Sequence, residues 1–306
     1  MMRHDVRRDY DIDLGEILAT TPHRWRDAWD VRSRFHPPTI TFDRPTATLP
    51  ISVTGARCAL QCAHCGGHYL RHMRTLDDAA ALGALNGATS LLISGGCDAA
   101  GRVPVIEHLP VLRRLGAGRR LNWHLGLIDE ETMRAVAPLA DVVSFDVVGD
   151  AATAREVYGL DVDLAIYMAT LRTMRRHARV VPHITVGLRG GQLSGEMAAV
   201  SALAAEGVDT LVFIVLIPTE GTAFADRCPP KVADVADVLL QARLALPQAR
   251  LLLGCMRPHG VYRQALDEVA VRAGINGIVN PTRVAERVAE ALGLEATWGN
   301  ECCSLD

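Results

Sequence analysis

No run of apolar residues in this chain approaches the roughly 20 that a membrane-spanning helix requires. The longest, such as residues 211–218, stop far short of it. Nor does an apolar stretch follow the charged N-terminal residues Met1-Met2-Arg3-His4-Asp5-Val6-Arg7-Arg8, so no secretory signal is read there. Lysine is almost absent. Lys231 is the only one and arginine supplies the other cations, a bias of the kind that genome composition produces. The net charge of −3 leaves no broad excess of either sign, which argues against contact with nucleic acid or an anionic membrane. Pro/Gly/Ser-rich linkers, tandem repeats and low-complexity tracts are missing too. A soluble, cytoplasmic protein is the expectation.

What the chain does have is length and apolar content. Its 306 residues are 49% hydrophobic and 22% charged, enough to bury a sizeable core. Such a length would allow two domains, but α/β barrels reach about 250 residues or more as one. From about residue 48, short β-branched runs alternate with longer stretches whose apolar residues recur three and four apart. Strands are predicted at 49–54, 90–94, 121–125, 142–148, 180–186, 210–217, 250–254 and 277–280. Helices are predicted at 105–115, 130–139, 164–177, 196–205, 232–246, 261–273 and 282–292. Eight such units predict an α/β fold, a (β/α)8 TIM-type barrel over 48–293, with a doubly wound open sheet as the alternative. Residues 1–47 read as a short helical extension capping one end, with helical spacing at 12–29 and an extended lead-in at 37–42. Residues 294–306 form a cysteine-containing tail.

Barrel enzymes place their chemistry at the C-terminal ends of strands. After the first predicted strand comes Cys58-Ala-Leu-Gln-Cys62-Ala-His-Cys65, and after the second Gly95-Gly96-Cys97-Asp98. Eight cysteines in a reducing compartment point to metal or redox chemistry rather than disulfides. Three thiolates from one short loop can cap three irons of a cubane and leave the fourth open. Zinc is the alternative, with His64 or His68 as a further ligand, although no second cysteine pair follows at zinc-site spacing.

C-x3-C-x2-C after the first strand of a βα array resembles the radical S-adenosylmethionine (radical SAM) superfamily, and the likeness spans residues 48–280. Ser94-Gly95-Gly96 looks like that family's glycine motif, which holds the cofactor's amino group. The resemblance implies a [4Fe–4S] cluster on Cys58, Cys62 and Cys65, with S-adenosylmethionine chelating the open iron. Reductive cleavage would then give a 5′-deoxyadenosyl radical, with the electron drawn from a donor such as ferredoxin or flavodoxin. The residue before the third cysteine is often aromatic in the family; here it is His64. Gly187, with Gly190 and Gly191, would let backbone approach a ligand, and Arg189 could pair the cofactor carboxylate. Asp146 and Asp150 could hold ribose hydroxyls or structural arginines, and Tyr158 could touch adenine or close a helix.

Val181-Pro-His183-Ile-Thr-Val-Gly-Leu188, Phe145-Asp146-Val-Val-Gly149-Asp150 and Cys62-Ala-His-Cys65-Gly-Gly resemble the biotin-synthase-related subgroup, most of all the paired lipoyl synthases. That likeness implies sulfur insertion at unactivated C–H bonds of an octanoylated carrier protein or peptide, beside a homologous radical SAM partner. It also implies an auxiliary iron–sulfur cluster as sulfur donor. Cys97 and Cys255 at strand ends, with Cys302 and Cys303 on a tail folded over the mouth, are its expected ligands. The central-strand cysteines of a true biotin synthase are missing, and residues 1–57 lack the cysteine triad of single-chain lipoyl synthases. The competing readings are a one-cluster radical SAM isomerase or methyltransferase and a non-catalytic iron–sulfur or zinc scaffold. Arg257 is similar to an arginine beside biotin synthase's second cluster, or else faces the surface or a phosphate. His124 and His183 are lumen or core histidines, and Cys228 is structural.

Overall fold

The computed structural model describes residues 12–80, 85 and 87–306. Two helices, α1 (Leu14–Ala19) and α2 (Pro22–Phe35), precede strands β1 (Thr39–Asp43) and β2 (Thr48–Ser52). A short strand β3 (Arg74–Thr75) and helix α3 (Leu76–Ala80) follow. The chain then alternates through β4 (Ser90–Ser94), α4 (Leu109–Leu115), β5 (Arg120–His124), α5 (Glu130–Val136) and β6 (Val142–Asp146). Helices α6 (Ala151–Tyr158) and α7 (Leu164–Arg175) lead into β7 (Val180–Val186), α8 (Glu196–Ala205) and β8 (Thr210–Val215). The last units are α9 (Val232–Ala245), β9 (Arg250–Leu253), α10 (Gly260–Arg272), β10 (Gly277–Val279), α11 (Arg283–Ala291) and β11 (Glu295–Gly299).

All strands join one curled sheet of eleven, in the order β11-β1-β10-β9-β8-β7-β6-β5-β4-β2-β3, and every pairing is parallel. The α/β architecture and each of the eight expected strands are present, but the count of eight is not. The sheet also recruits β1 and β11 from the two flanking segments, together with β3, so the boundaries at 47 and 293 do not separate sheet from flank. Four apolar or β-branched residues at 39–42, followed by Asp43, suffice for a strand once β10 and β11 offer edges on both sides.

Aspartates define where several helices begin. The carboxylates of Asp13, Asp129, Asp150 and Asp163 each accept from a backbone N–H one turn on, satisfying donors that a helix start leaves free. This explains α6, which the sequence reading overlooked, and it overturns the ribose role for Asp150. That carboxylate takes Thr153 N–H at 2.8 Å and its hydroxyl at 2.7 Å. Gly159, at φ +69°, then ends α6 in the left-handed conformation.

Two apolar layers form. The outer one joins the helices to Leu91, Ile93, Leu121, Trp123, Val143, Phe145, Leu211 and Phe213 of the sheet. An inner one, in the lumen, joins Val142, Val181, Val212, Leu252 and Val279 to Cys303 and Leu305. The C-terminal segment therefore enters the barrel from the N-terminal ends of the strands. Glu301 is held by Thr89 and Arg120, which open β4 and β5. Arg179, just before β7, donates to the carbonyls of Ser304 and Asp306. The expected tail folded over the mouth is thus replaced by a plug in the floor: Cys303 and Leu305 gain more apolar contact there than an open loop would give them.

Arg257 is corrected as well. Neither at the surface nor at a cluster, it is 0% exposed and pairs with Asp267, also 0% exposed, at 2.9 Å. Its remaining donors go to the carbonyls of Gly254, Val279 and Asn280. Among the described residues no helix is long and apolar enough to cross a membrane. Because Leu305 is 2% exposed within the lumen floor, Leu305→Ala should lower unfolding free energy by roughly 2–5 kcal/mol in urea titrations. A change under about 0.5 kcal/mol, typical of surface substitutions, would show that the floor contact contributes nothing.

Candidate active site at the C-terminal end of the barrel

The cysteine loop leaves β2 through a tight turn in which the Ser52 hydroxyl donates to Gly55 O at 2.6 Å. Gln61 sits at φ +47° and donates from its amide to Cys58 O at 2.7 Å, while Cys65 and Gly66 N–H both turn back to Cys62 O. Cys58, Cys62 and Cys65 are thereby carried on one compact loop, all partly open to solvent. Burial and the neighbouring Cys58 and Cys65 push the Cys62 thiol up to about 12. Crowded thiols that resist losing their protons are stabilised as thiolates by a cationic metal core, so the donor set fits an iron cluster. Among the described residues no three His, Cys, Asp or Glu side chains are grouped to hold a single metal ion.

The loop after β4 backs this one. A Cβ on Gly96 would lie 1.9 Å from the Arg57 carbonyl oxygen and 2.6 Å from the Cys58 Cα. Gly96 N–H donates to Thr54 Oγ1 at 2.7 Å, and Ala59 N–H to Cys97 O at 2.8 Å. What demands glycine at 96 is the cysteine loop itself. Gly95 instead borders a cavity shared with Cys62, Cys97, His124, Asp146 and Tyr158. Its remaining walls are largely apolar, including Val103, Leu127, Phe145 and Leu160. The Asp146 Oδ1 is buried there without a hydrogen-bond partner, and so is the His64 Nδ1. A largely apolar slot with a few polar groups on its wall suits a flat ligand such as an adenosine.

Period-two alternation brings Asn122 and His124 of β5 to the same face as Ser144 and Asp146 of β6. His124 Nε2 lies 3.0 Å from Asp146 Oδ2 and stacks on His183, with centroids 6.1 Å apart. Burial alone would lower His124, but the adjacent carboxylate outweighs it and holds the imidazole above its ordinary value. Burial likewise opposes the charge of Asp146, yet His124 and the other histidines bring it down to about 2. His183, bonded through Nδ1 to Val181 O at 3.0 Å, is lowered to about 4 by burial and by His124. Below them, the Ser144 hydroxyl donates to Asn122 Oδ1 and meets the Ser304 hydroxyl at 3.1 Å, and the Asn122 amide donates to Cys302 Sγ at 3.3 Å. Asn122 and Ser144 were overlooked in sequence, although the i, i+2 polar pattern on two neighbouring strands was the available signal.

The remaining candidates divide. Gly187, at φ +71°, packs against Pro230, where a Cβ would come within 2.6 Å, and the Arg189 guanidinium is already paired with Glu156 at 2.8 Å. Cys97 falls with the first triad: burial, then Cys58, push its thiol up to about 12. Cys255 is exposed at the end of β9, within range of the charges of Cys302 and Cys303 in the floor. Hydrogen bonds from the Cys303 thiol, Ser304 and Asn122 hold Cys302 below its ordinary value. Cys97 is thus electrostatically linked to the first triad, and Cys255 to Cys302 and Cys303. Cys228 is exposed before α9, away from all of these.

A histidine NMR titration tests the lumen pair. His124 should titrate above its ordinary value, with His183 neutral down to about pH 4. The stabilisation from His124 is then complete below about pH 6.5, its unfolded value, and fades as pH rises through its folded one. That from Asp146 is complete above about 3.9 and fades as pH falls through its depressed value. Asp146→Asn should bring the His124 midpoint down; an unchanged midpoint refutes the pairing.

No protein-family model matches the chain, and no curated protein matches it in sequence. Solved structures do match its fold. Methylornithine synthase (PylB) aligns at TM-score 0.64 and 14% identity over 93% of each chain. The FeFe-hydrogenase maturase HydG from Carboxydothermus hydrogenoformans aligns at TM-score 0.66 and 15% identity, over 96% of this chain and 77% of that one. The chain thus shares the curled α/β barrel of these two proteins.

Proposed function

We propose that this chain is a radical SAM enzyme. Cys58, Cys62 and Cys65 would hold a [4Fe–4S] cluster, and S-adenosylmethionine would fill the cavity between that loop and Asp146. One observation carries this reading: Cys62, electrostatically linked to Cys58 and Cys65 on the same loop, borders a largely apolar slot that Asp146 and Tyr158 also line. When bound, the cluster supplies the electron that cleaves the sulfonium and yields a radical able to take hydrogen from an unactivated carbon.

The chain's own groups bind and orient. Three cysteine ligands leave one iron coordination position for the cofactor. Asp146, kept anionic by His124, would turn its carboxylate on the slot wall toward ribose hydroxyls. Val103, Leu127 and Phe145 keep water from the slot.

Sulfur insertion on an octanoylated carrier, in the manner of a paired lipoyl synthase, is the finer reading. Support for it comes from the approach of Cys255 to Cys302 and Cys303, three thiols that could hold an auxiliary cluster without Cys97. A one-cluster isomerase or methyltransferase competes with it. The polar lumen wall of Asn122, His124, Ser144, Asp146 and His183 favours that competitor, because it suits a substrate with polar groups better than an alkyl chain.

Anaerobically reconstituted protein, given dithionite and S-adenosylmethionine, should release 5′-deoxyadenosine, and replacing all three of Cys58, Cys62 and Cys65 by Ala should abolish it. Release undiminished in the triple variant, or none from the wild type, sinks the reading. Iron then separates the finer alternatives: about eight per chain fits two clusters, and about four fits one.

A further inference from the structure

Strand β11 ends the sheet on one side and pairs only with β1, with Glu295 beside Thr39 and Gly299 beside Asp43. Glu295 N–H donates to Pro38 O at 2.8 Å, and Gly299 O accepts from Arg44 N–H at 2.9 Å. The odd-numbered residues of β11 therefore serve the β1 ladder, and in a pleated strand the residues between them turn the other way. The N–H and C=O groups of Ala296 and Trp298 face outward, and among the described residues no strand meets them. The groups beyond are already committed: Leu294 N–H donates to Ala289 O, and Asn300 O accepts from Ala47 N–H.

The side chains do nothing to protect this edge. Residues 295–298 are all exposed, Trp298 by 50%. Its indole is held in place by Phe42, with ring centroids 5.4 Å apart, and by the Arg44 guanidinium 4.5 Å from the ring centre. Natural sheets guard an open edge with lysine, proline or a covering element. β11 has neither residue, and it offers an ordered aromatic instead.

We infer that β11 is a self-association edge, where a second copy of this chain pairs antiparallel to it about a two-fold axis through Thr297. Hydrogen bonding selects that occupant and register. With Ala296 of each copy facing Trp298 of the other, both outward N–H groups and both outward C=O groups are matched, and Thr297 meets its twin as the non-bonded pair. An axis at Ala296 would bring in Leu294, whose N–H is used; one at Trp298 would bring in Asn300, whose C=O is used. Size fits as well, because the small Ala296 leaves room for the indole across from it. Charge agrees: antiparallel pairing sets the Arg44 end of each edge against the Glu295 end of the other, and the acid that Arg44 has in its own chain, Glu286, is 3.8 Å away. The two barrels then point in opposite directions and both mouths stay open. The pairing is independent of the chemistry proposed for the mouth.

Sedimentation velocity on the full chain reads the association. The measured mass should climb from 33.1 kDa toward twice that value as concentration rises. The transition belongs in the micromolar range or above, because an edge contact is smaller than the roughly 1,600 Å² of a standard interface. Ala296→Pro deletes one outward N–H and no bond to β1, so it should weaken association at least about tenfold at an unchanged unfolding midpoint. Ala296→Lys keeps the backbone intact and should weaken it likewise.

A cysteine at the axis reads the register. The Cα atoms of a non-bonded antiparallel pair lie about 4.5 Å apart, within disulfide range. Thr297→Cys, treated with oxidised glutathione, should cross-link two chains through position 297 several-fold faster than Ala296→Cys does through position 296. A mass that stays at one chain up to millimolar concentration overturns the inference, as does association that both Ala296→Pro and Ala296→Lys leave unchanged. Cross-linking through 296 as fast as through 297 overturns it too, since the axis would then lie elsewhere.

Discussion

A curled parallel sheet creates a lumen whose inward side chains must be filled, hydrated or paired, and the rest of this molecule follows from how that is done. The lower layer is filled by apolar residues of β6 to β10 and closed by Cys303 and Leu305. The upper layer is left polar, so it can receive a ligand. Because inward positions recur every second residue, moving from floor to mouth along β5 and β6 passes from Asn122 and Ser144 to His124 and Asp146. Floor chemistry and mouth chemistry are therefore one residue pair apart, and the Ser304–Ser144–Asn122 bonds tie the C-terminal segment to the floor pair.

Charge inside that space is arranged in opposition. Asp146 keeps its negative charge against burial mainly through His124, whose own charged form the carboxylate favours, with His183 and His64 adding to it. His183 beside it stays neutral, since a second imidazolium would face the first across a stack. The arrangement leaves one carboxylate oxygen committed and the other buried without a partner, unlike a fully satisfied structural ion pair. Arg257 and Asp267 show the contrast: there every oxygen and nearly every guanidinium donor is used, and nothing remains for a ligand.

Much of this was legible in the sequence. The alternation of β-branched and helical runs marked all eight barrel strands, and the C-x3-C-x2-C spacing marked the loop at the mouth, because both are short-range patterns. What escaped was set by distant partners. Thr39–Asp43 is a strand only because β10 and β11 flank it, and no local signal announces neighbours more than 230 residues away. Cys302 and Cys303 looked like lid residues when only their proximity to the chain end was known. Their position in the floor depends on Arg179, Arg120 and the inner apolar layer, all remote in sequence. Gly96 was singled out as a cofactor contact, whereas the close approach seen at it is to the cysteine loop's own backbone.

Strands β1 and β2 are four residues apart in the chain yet lie toward opposite edges of the sheet. This separation orders assembly in time. β2 can pair with β4 after closing a loop of moderate length, whereas β1 has nothing to pair with until β10 and β11 exist as strands. Loop-closure entropy makes such distant pairings the late ones. Residues 44–47 therefore behave as a seam: the chain on one side is consolidated early, and the helical extension on the other is gathered in only when the sheet has come full circle.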